Sequence, residues 1–574
     1  MGHSMEHAPL LSLGFAQHFL LRDRPELRHA VSRLPLAALI SNATQPDGSG
    51  RLAAVLEKLR RPIDCCIRFV VVGASSCIGA GIPQAIHLKG AAGINGTWTR
   101  ALPGVETAGL NRTYGAYLAR WLDRATSPCC RGGHSFLNLC RGGTGTQYIL
   151  DSVLPVLASA HRGETPIDLV LVDTLDWNNA LDDLRHKVRA AEEAGQVVGR
   201  TEALVRRLLA LQPNLAVLPV QTYWMLVRNN PATGRVWQDN RLHALYGTWD
   251  MSGRVYRHYR LPTVNMPAAL DGLAAPPLTL PASHPLSFNR LKVDPNHISH
   301  DGHLLAALFL AGALLAEAAR PAHGSAAGQL TLPDDVPILS PPEHRSSLAA
   351  EQTLIDFTLP SPLRRPREME AEGWAWITVH RNEGSAGYRP ERGAAPQQSI
   401  RREASYFGTE DANFILGALQ GDNFNKRGFR ADDAGANTTA VFRTPIQLVL
   451  GQLRLSYLKS YQGQAAAAVE LLGCNPPLAA SPKPKKQGGK ERPGYCGVRN
   501  DCWRLDGAWN DRVSVSWTDT LAVPLAASAP RAAGPGGPVN CTLQMTALFS
   551  ERPPPHRGAH IDPTSFTLYS IASL

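Results

Sequence analysis

Two adjacent serines, Ser75 and Ser76, follow an apolar run in the first quarter of the chain. The run at residues 69–73 is rich in valine, which predicts a buried parallel strand, and the glycine-rich segment after it predicts a tight turn into a helix. Open α/β sheets place their ligands and their chemistry at the carboxyl ends of such strands. A serine hydroxyl there could act as a nucleophile once a base removes its proton. Ser75 is the first candidate for that role and Ser76 the second.

Other residues of catalytic types follow later strands of the predicted pattern. A glycine can offer its backbone N–H at close range, an asparagine its side-chain amide, and an Asp–His pair a base with its orienting carboxylate. Because the carboxyl ends of parallel strands meet at one edge of a sheet, we expect these residues to converge near Ser75. They are Gly143 after the second strand, Asn178 or its neighbour Asn179 after the third, and Asp294 with His297 before the last helix.

This set of residues fits acyl-transfer chemistry at an ester. His297 would take the proton from Ser75, since imidazole titrates near neutral pH. Asp294 would hold the ring of His297 in the correct tautomer and stabilise its cation. The backbone N–H groups of Ser75 and Gly143 and the side-chain amide of Asn178 would donate to the negative oxygen of the tetrahedral intermediate.

Each of these residues has a structural alternative when it is taken singly. Asn178 could cap a helix, and Gly143 could serve only the turn between a strand and a helix. His297 with His300 and His303 could form a solvated helix start or a metal cluster, but further ligands are lacking and we predict no metal and no cofactor. The occurrence of all four features in order, within an α/β pattern, favours the catalytic interpretation.

The elements that must position these residues alternate between strand and helix from about residue 65 to residue 320. The alternation predicts a doubly wound parallel sheet with right-handed crossovers. The predicted strands are 67–72, 135–139, 167–173 and 215–222, and the predicted helices are 115–124, 147–158, 181–194, 201–211 and 302–320.

A different pattern follows a stretch rich in proline and alanine. Apolar residues then alternate with period two, which predicts an antiparallel β-sandwich. Its predicted strands are 447–457, 466–472, 513–517, 541–549 and 565–571. The predicted domains are an N-terminal helical extension (1–62), an α/β domain (63–320), a linker (321–350) and a β-sandwich-like C-terminal domain (351–574).

The ordered blocks resemble those of the SGNH, or GDSL-like, hydrolase family over residues 63–320. The resemblance implies a three-layer α/β/α fold of the flavodoxin-like kind, a Ser-His-Asp triad and a Gly/Asn oxyanion hole. In its two-domain form the chain is most similar to green-algal members. The matching residues are Gly73-Ala74-Ser75, Asn138 to Gly143, Asn178, the Asp294–His297 pair and the Gly302-His303 pair.

The chain departs from the family pattern at three places. Ala74 stands where the family usually has Asp, and Cys77 where it usually has Thr. The third block reads Asp-Trp-Asn-Asn at residues 176–179 instead of Gly-x-Asn-Asp. A shift of one residue in that block would make Asn179, not Asn178, the oxyanion donor.

Composition limits the partners and the compartment. The formal net charge is +10, but the basic residues are scattered and no nucleic-acid motif occurs, so we predict a solvated surface excess and no nucleic-acid partner. The most apolar window, 304–319, is shorter than the roughly 20 residues of a membrane span and predicts a core helix. No signal peptide is convincing. A secretory route is nevertheless favoured by five Asn-x-Ser/Thr sequons and by an even set of C-terminal cysteines, Cys474, Cys496, Cys502 and Cys541, which would allow two disulfides.

The sequence therefore predicts a serine esterase that acts on acyl groups of a small molecule or of a polysaccharide. Two alternatives stay open. A non-catalytic glycan-binding protein on a degenerate SGNH scaffold would account for Ala74 and the irregular third block. An O-acyltransferase would use the same triad with a sugar hydroxyl in place of water, because acceptor choice depends on how the site excludes water.

Overall fold

The structure is a computed structural model of the 574-residue chain. It describes residues 12–74, 76–77, 79, 112–126, 129–130, 133–140, 145–154, 157, 166–173, 190–222, 227–229, 236–238, 243–277, 279–292, 297–320, 336–340, 353–356, 369–371, 374–379, 426–432, 438–448, 452–459, 466–475, 502–506, 515–523, 539–548 and 565–573.

The chain divides into two compact units. Met1–Arg345 belong to the first unit, and Ser346–Glu410 with Phe424–Leu574 belong to the second. The four N-terminal helices, predicted as an extension, lie in the first unit and share one hydrophobic core with its sheet and its last helix.

The first unit combines a six-stranded sheet with helices. The strands of the unit are β1 (Thr44–Gln45), β2 (Arg68–Gly73), β3 (Ser135–Asn138), β4 (Leu169–Asp173), β5 (Ala216–Gln221), a separate hairpin of β6 (Val227–Asn229) and β7 (Val236–Gln238), and β8 (Thr263–Asn265). The helices are α1 (Leu13–Leu20), α2 (Pro25–Ser32), α3 (Leu36–Ala43), α4 (Arg51–Leu59), α5 (Tyr114–Ala125), α6 (Thr146–Tyr148), α7 (Ala190–Leu211), α8 (His243–His258), α9 (Met266–Asp271), α10 (Phe288–Leu291) and α11 (His300–Ala318).

The strand order confirms a mostly parallel sheet in an α/β unit. The order is β1-β8-β5-β4-β2-β3. All neighbouring pairs from β8 to β3 are parallel, and only the edge strand β1 is antiparallel to its neighbour β8. The chain runs from β2 outward to β3 and then returns to the other side of β2 with β4, so the winding direction reverses at β2. Open α/β sheets bind ligands at the carboxyl ends of the strands at such a reversal.

Apolar contacts fix the helices against the sheet. The rings of Phe69 on β2 and Phe136 on β3 lie 5.0 Å apart beneath α5. A Cβ at Gly115 would lie only 2.8 Å from the Phe136 ring, so glycine lets α5 approach the sheet closely. Helix α11 is long and apolar enough to cross a membrane by length and composition, but 78% of that window is buried inside the unit. It packs as the core helix that the sequence predicts.

Two predicted helices differ from the observed ones. The helix predicted at 147–158 begins as α6 and continues as a π-helical turn at Ile149–Val153. The helix predicted at 201–211 begins at Ala190, because Gly195 and Gly199 are accommodated inside α7, which packs along α8. Interior glycine costs about 1 kcal/mol relative to alanine, which tertiary contacts can offset. Most of the helix predicted at 181–194 lies outside the described residues.

The second unit consists of antiparallel strands, as the period-two pattern predicts. One sheet has the order β10-β13-β18-β15-β16, and the other has β11-β12-β19-β14-β17 with β9 also paired to β19. The strands are β9 (Thr353–Asp356), β10 (Met369–Ala371), β11 (Trp374–Val379), β12 (Lys426–Asp432), β13 (Thr438–Leu448), β14 (Gln452–Lys459), β15 (Ala466–Asn475), β16 (Cys502–Asp506), β17 (Val515–Ala522), β18 (Val539–Leu548) and β19 (Ser565–Ser573).

The strand predicted at 447–457 was wrong as a single element. It spans the end of β13 and most of β14, and these two strands belong to different sheets. The apolar run through this region masks the break, whose only sequence signal is Gly451. A disulfide between Cys474 and Cys541 joins β15 to β18, and Cys502 on β16 is also disulfide-bonded.

Candidate active site

The carboxyl ends of β2 and β4 lie in unusually close contact. Gly73 pairs with Asp173, and the backbone N–H of Ala74 donates to the carbonyl oxygen of Asp173 at 3.2 Å. A Cβ at Gly73 would lie 2.1 Å from that carbonyl oxygen, so no side chain fits there. The neighbouring strand therefore requires glycine at residue 73, two residues before the first of the two serines.

A buried hydrogen-bond network, centred on Asp173, joins three strand ends and one helix. The hydroxyls of Tyr114 and Thr222 donate to Oδ2 of Asp173 at 2.9 and 3.1 Å. The Ser76 and Thr222 hydroxyl oxygens lie 2.9 Å apart. Because the Thr222 proton goes to the carboxylate, Ser76 is the donor in this contact. The network connects the turn after β2 with the ends of β4 and β5 and the start of α5.

Burial dominates the electrostatics of this network. Asp173 is fully buried, and burial raises its pKa to about 7, although the hydrogen bonds from Tyr114 and Thr222 and the charge of Lys292 act in the opposite direction. Its Oδ1 atom has no hydrogen-bond partner among the described residues. A buried carboxyl that titrates near neutral pH at a strand end is typical of functional sites.

Helix α11 brings a second buried titratable group to the same place. The Nδ1 atom of His303 accepts from the backbone N–H of Tyr114 at 3.2 Å, and the two rings stack with centroids 5.8 Å apart. Burial, followed by the neighbouring His300, His297 and Lys292, lowers the pKa of His303 to about 3, so its imidazole is neutral. Its Nε2 atom has no hydrogen-bond partner among the described side chains and backbone groups.

A tight backbone closure carries His297 to the start of α11. Lys292 and Ile298 form an antiparallel bridge on either side of the Asp-x-x-His block. The backbone N–H of Ser299 donates to the carbonyl oxygen of Leu291 at 2.9 Å, and the Ser299 hydroxyl caps α11 by accepting from the Gly302 N–H at 3.1 Å. These contacts hold half-buried His297 directly before Ile298, three residues before the start of α11.

The outer histidine of this region has a different environment. The ring nitrogens of His300 contact the guanidinium of Arg24 and the hydroxyl of Tyr117. Burial and the nearby arginines lower the pKa of His300 to about 4. Within the described ranges no group of three His, Cys, Asp or Glu side chains has a geometry that could hold a metal ion.

The turns after β2 and β3 are joined covalently. Cys77 and Cys140 form a disulfide, and both side chains are buried. Asn138, the last residue of β3, donates from Nδ2 to the carbonyl oxygen of Cys77 at 2.8 Å and accepts at Oδ1 from the Cys140 N–H at 2.9 Å. The disulfide and the two Asn138 hydrogen bonds thus hold Cys77, which follows β2, next to Cys140, which follows β3.

Most of the predicted site residues lie outside the described residues. His297 and Ser76 are described, and Ser76 is buried within the Asp173 network. The residues outside the described set are Ser75, Gly143, Asn178, Asn179 and Asp294. Their roles stay predictions.

Sequence reasoning did not assign roles to three members of the network. Asp173 was visible as an ionisable residue closing an otherwise apolar strand, and Thr222 as the polar end of the next predicted strand. Tyr114 gave no comparable signal, because a tyrosine at the start of an amphipathic helix is common in cores. Only the fold shows that its hydroxyl and its backbone N–H serve two different buried groups.

Comparisons with known proteins identify solved structures only. No family model matches the sequence, and no curated protein matches it. The chain is similar to a two-domain esterase (CEX) active on acetylated mannans, with 14% identity, a TM-score of 0.49, and coverage of 93% of this chain and 98% of the esterase. It is also similar to an extracellular lipase from Streptomyces rimosus (15% identity, TM-score 0.26, 42% of this chain and 95% of the lipase). A phospholipase A1 from Streptomyces albidoflavus NA297 aligns with 17% identity and a TM-score of 0.25, over 42% of this chain and 94% of the phospholipase.

Proposed function

We propose that the chain is a serine esterase of the SGNH type. Ser75 is the nucleophile, His297 the general base and Asp294 the residue that orients the base. The backbone N–H groups of Ser75 and Gly143 and the amide of Asn178 stabilise the oxyanion, with Asn179 as the alternative donor. The proposal includes a three-layer arrangement of the first unit and a β-sandwich arrangement of the two antiparallel sheets.

The strand order β3-β2-β4 is the observation that carries this proposal. The serine block follows the middle strand of the three, and the glycine and asparagine blocks follow the two strands that flank it. All three strands are parallel, so their carboxyl ends share one edge. A nucleophile between two oxyanion donors is the arrangement that acyl transfer requires.

The contacts of Ser76 support Ser75 as the nucleophile. The Ser76 hydroxyl is fully buried and donates to Thr222, whose own proton is committed to Asp173. A hydroxyl in this position stabilises the turn and is shielded from a substrate. Between the two adjacent serines, Ser75 is therefore the candidate for a hydroxyl that reaches the substrate.

The substrate class that we propose is an acylated polysaccharide. Four disulfides join described cysteines, which fits an oxidising compartment such as the cell exterior, where acylated glycans occur. Acetylated mannan is the polymer to test first, and p-nitrophenyl acetate is a small substrate that reports the chemistry alone.

Ser75→Ala tests the proposal against a matched control one residue away. We expect Ser75→Ala to lower kcat/KM for p-nitrophenyl acetate by at least about a thousandfold, because the nucleophile is lost. Ser76→Ala should keep activity within about tenfold while lowering stability, because it removes the buried hydrogen bond to Thr222 and leaves Ser75 in place. A folded wild-type protein without activity, or a Ser75→Ala variant as active as wild type, would refute the esterase.

Two further measurements separate the alternatives. A fluorophosphonate probe should label Ser75 in the wild type and leave Ser75→Ala unlabelled, whereas a non-catalytic glycan-binding protein would react in neither form. Product analysis with and without an added sugar acceptor distinguishes hydrolysis from acyl transfer. We expect free acetate as the main product in both conditions.

A further inference from the structure

We propose that the Cys77–Cys140 disulfide and Asn138 form a positioning clamp for the active site. The clamp fixes the turn that carries the nucleophile relative to the turn that carries the oxyanion glycine, and it rests on the esterase proposed above. Cys77 lies two residues after Ser75, and Cys140 lies three residues before Gly143. The clamp residues touch no reacting atom in this proposal and act through the two turns.

Three contacts build the clamp. The Cα atoms of Cys77 and Cys140 are 5.9 Å apart, and the disulfide between them is buried. The Asn138 side chain is fully buried and spans the same gap, with its Nδ2 donating to Cys77 and its Oδ1 accepting from Cys140. A covalent link and two buried hydrogen bonds at one place leave the two turns little freedom to separate.

The other disulfides of the first unit lie at the opposite edge of the sheet. Cys65 and Cys66 precede β2 and bond to Cys129 and Cys130, which precede β3. The sequence separation is 64 residues for these two disulfides and 63 for Cys77–Cys140. The disulfides before the strands and the disulfide after the strands therefore close loops of nearly equal length. Only the disulfide after the strands lies at the edge that carries the predicted site.

This near equality separates a positioning role from a stabilising one. In the chain-entropy account, a disulfide restricts the unfolded chain according to the length of the loop that it closes. Removing the clamp disulfide leaves a 64-residue loop closed, and removing both amino-edge disulfides leaves a 63-residue loop closed. The unfolded chains are thus restricted almost equally in the two cases, while only the first removal loosens the turns around the nucleophile.

Oxyanion donors work only within a narrow range of distances to the developing charge. A displacement of about 1 Å in a catalytic constellation can cost about a hundredfold in rate. We therefore expect loss of the clamp to lower kcat about 30- to 100-fold with KM nearly unchanged, since the loss falls on the transition state.

The experiment compares Cys77→Ser/Cys140→Ser with two controls. Cys65→Ser/Cys129→Ser matches the number of substitutions, and the fourfold variant with Cys66→Ser and Cys130→Ser added matches the remaining loop. The readouts are kcat and KM for p-nitrophenyl acetate, the rate of fluorophosphonate labelling, and the urea midpoint of unfolding. We expect the clamp variant alone to lose kcat and labelling rate, with the fourfold control at least as destabilised.

The outcomes distinguish the clamp from the esterase. Equal kcat values in the clamp variant and the controls would overturn the clamp while Ser75→Ala still abolishes activity. An inactive wild type would instead overturn the proposed function. If the clamp variant fails to fold, Asn138→Ala keeps the disulfide and removes both hydrogen bonds, and the clamp predicts about a tenfold loss of kcat with KM unchanged. An unchanged kcat in that variant would also overturn the clamp.

Discussion

The two ends of β4 each carry an aspartate, and their environments differ in almost every respect. Asp168, just before the strand, accepts from Lys58 Nζ at 2.9 and 3.0 Å and from the Arg68 N–H at 2.8 Å. Asp173, at the other end, is fully buried and is hydrogen-bonded by the hydroxyls of Tyr114 and Thr222. The Asp168 carboxylate is paired with the cation Lys58, whereas the Asp173 carboxyl is buried and is hydrogen-bonded by two neutral hydroxyls.

Two buried histidines, His134 just before β3 and His303 on α11, show the same contrast. At the amino edge His134 accepts from the Ile67 N–H at 3.0 Å, and its Nε2 lies 2.7 Å from the Thr126 hydroxyl, so both ring nitrogens are satisfied. At the carboxyl edge His303 has one nitrogen bonded to the Tyr114 N–H and one without a partner among the described residues. Burial is the first cause that lowers both pKa values, to about 4 and about 3.

Asp173 and His303 each keep one buried polar atom without a hydrogen-bond partner among the described residues. An unpaired buried polar atom costs about 1–3 kcal/mol, so folds rarely keep one without a functional reason. Asp173 Oδ1 and His303 Nε2 both lie in the region to which the sequence assigns the nucleophile and the base. At the amino edge, in contrast, both ring nitrogens of His134 and both carboxylate oxygens of Asp168 have hydrogen-bond partners.

The largest expected effect comes from deleting each aspartate in turn. Asp173→Ala leaves the buried hydroxyls of Tyr114 and Thr222 without their acceptor and opens a cavity, so we expect a loss of about 3–5 kcal/mol in unfolding free energy. Asp168→Ala should cost about 2 kcal/mol, because Lys58 can turn toward water. Urea unfolding at pH 5 measures both, and equal losses would contradict the contrast between the two ends.

Much of the first unit could be predicted because its strands are buried on both faces. Continuous apolar runs at β2, β4 and β5 stand out in any sequence, and their turns end in glycine or polar residues. The edge strand β1 has only two residues and could not be recognised, since its pairing to β8 is a tertiary contact. In the second unit β10 and β16 are short as well, and no period of two can be recognised in them.

The candidate site could be predicted as a set of blocks but not as a network. Order along the chain suffices to predict Ser75 at the carboxyl edge, because it closely follows a strand of a parallel sheet. His297 follows helix α10 and not a strand, so its place beside Ser75 stays a prediction. The clamp could not be foreseen, since Cys77 and Cys140 are 63 residues apart and ten cysteines allow many pairings. The departure of Cys77 from the family pattern was its only signal.

A smaller effect, with a defined pH dependence, is expected from Asp173→Asn. The amide keeps an oxygen that can accept from Tyr114 and Thr222 but removes the ionisation. Burial raises the pKa of Asp173 to about 7 from its ordinary value of 3.8, so the folded protein holds this proton more tightly than the unfolded chain. The wild type therefore loses stability as pH rises from about 4 to about 7.

Between pH 5 and pH 8 the variant should gain about 2–3 kcal/mol relative to wild type, at about 1.4 kcal/mol for each unit of pH up to the folded pKa. Unfolding by urea at the two pH values measures the change, and the groups that titrate in both proteins cancel in the difference. A difference that stays constant between pH 5 and pH 8 would show that Asp173 is ionised throughout this range, as an ordinary surface aspartate is.

The smallest expected effect, of opposite sign, comes from Tyr114→Phe. The phenyl ring can keep the packing on His303, but the donor to Asp173 is lost. Because a hydrogen bond to an ionised carboxylate is stronger than one to the neutral acid, the variant should lose about 1 kcal/mol more at pH 8 than at pH 5. Tyr259→Phe is a matched control: its hydroxyl donates to Glu202 at 2.8 Å, and although burial acts against it, hydrogen bonds hold the pKa of Glu202 below its usual range. The control should therefore lose equal stability at both pH values. If the loss in Tyr114→Phe is also the same at pH 5 and pH 8, then Asp173 does not titrate between these pH values.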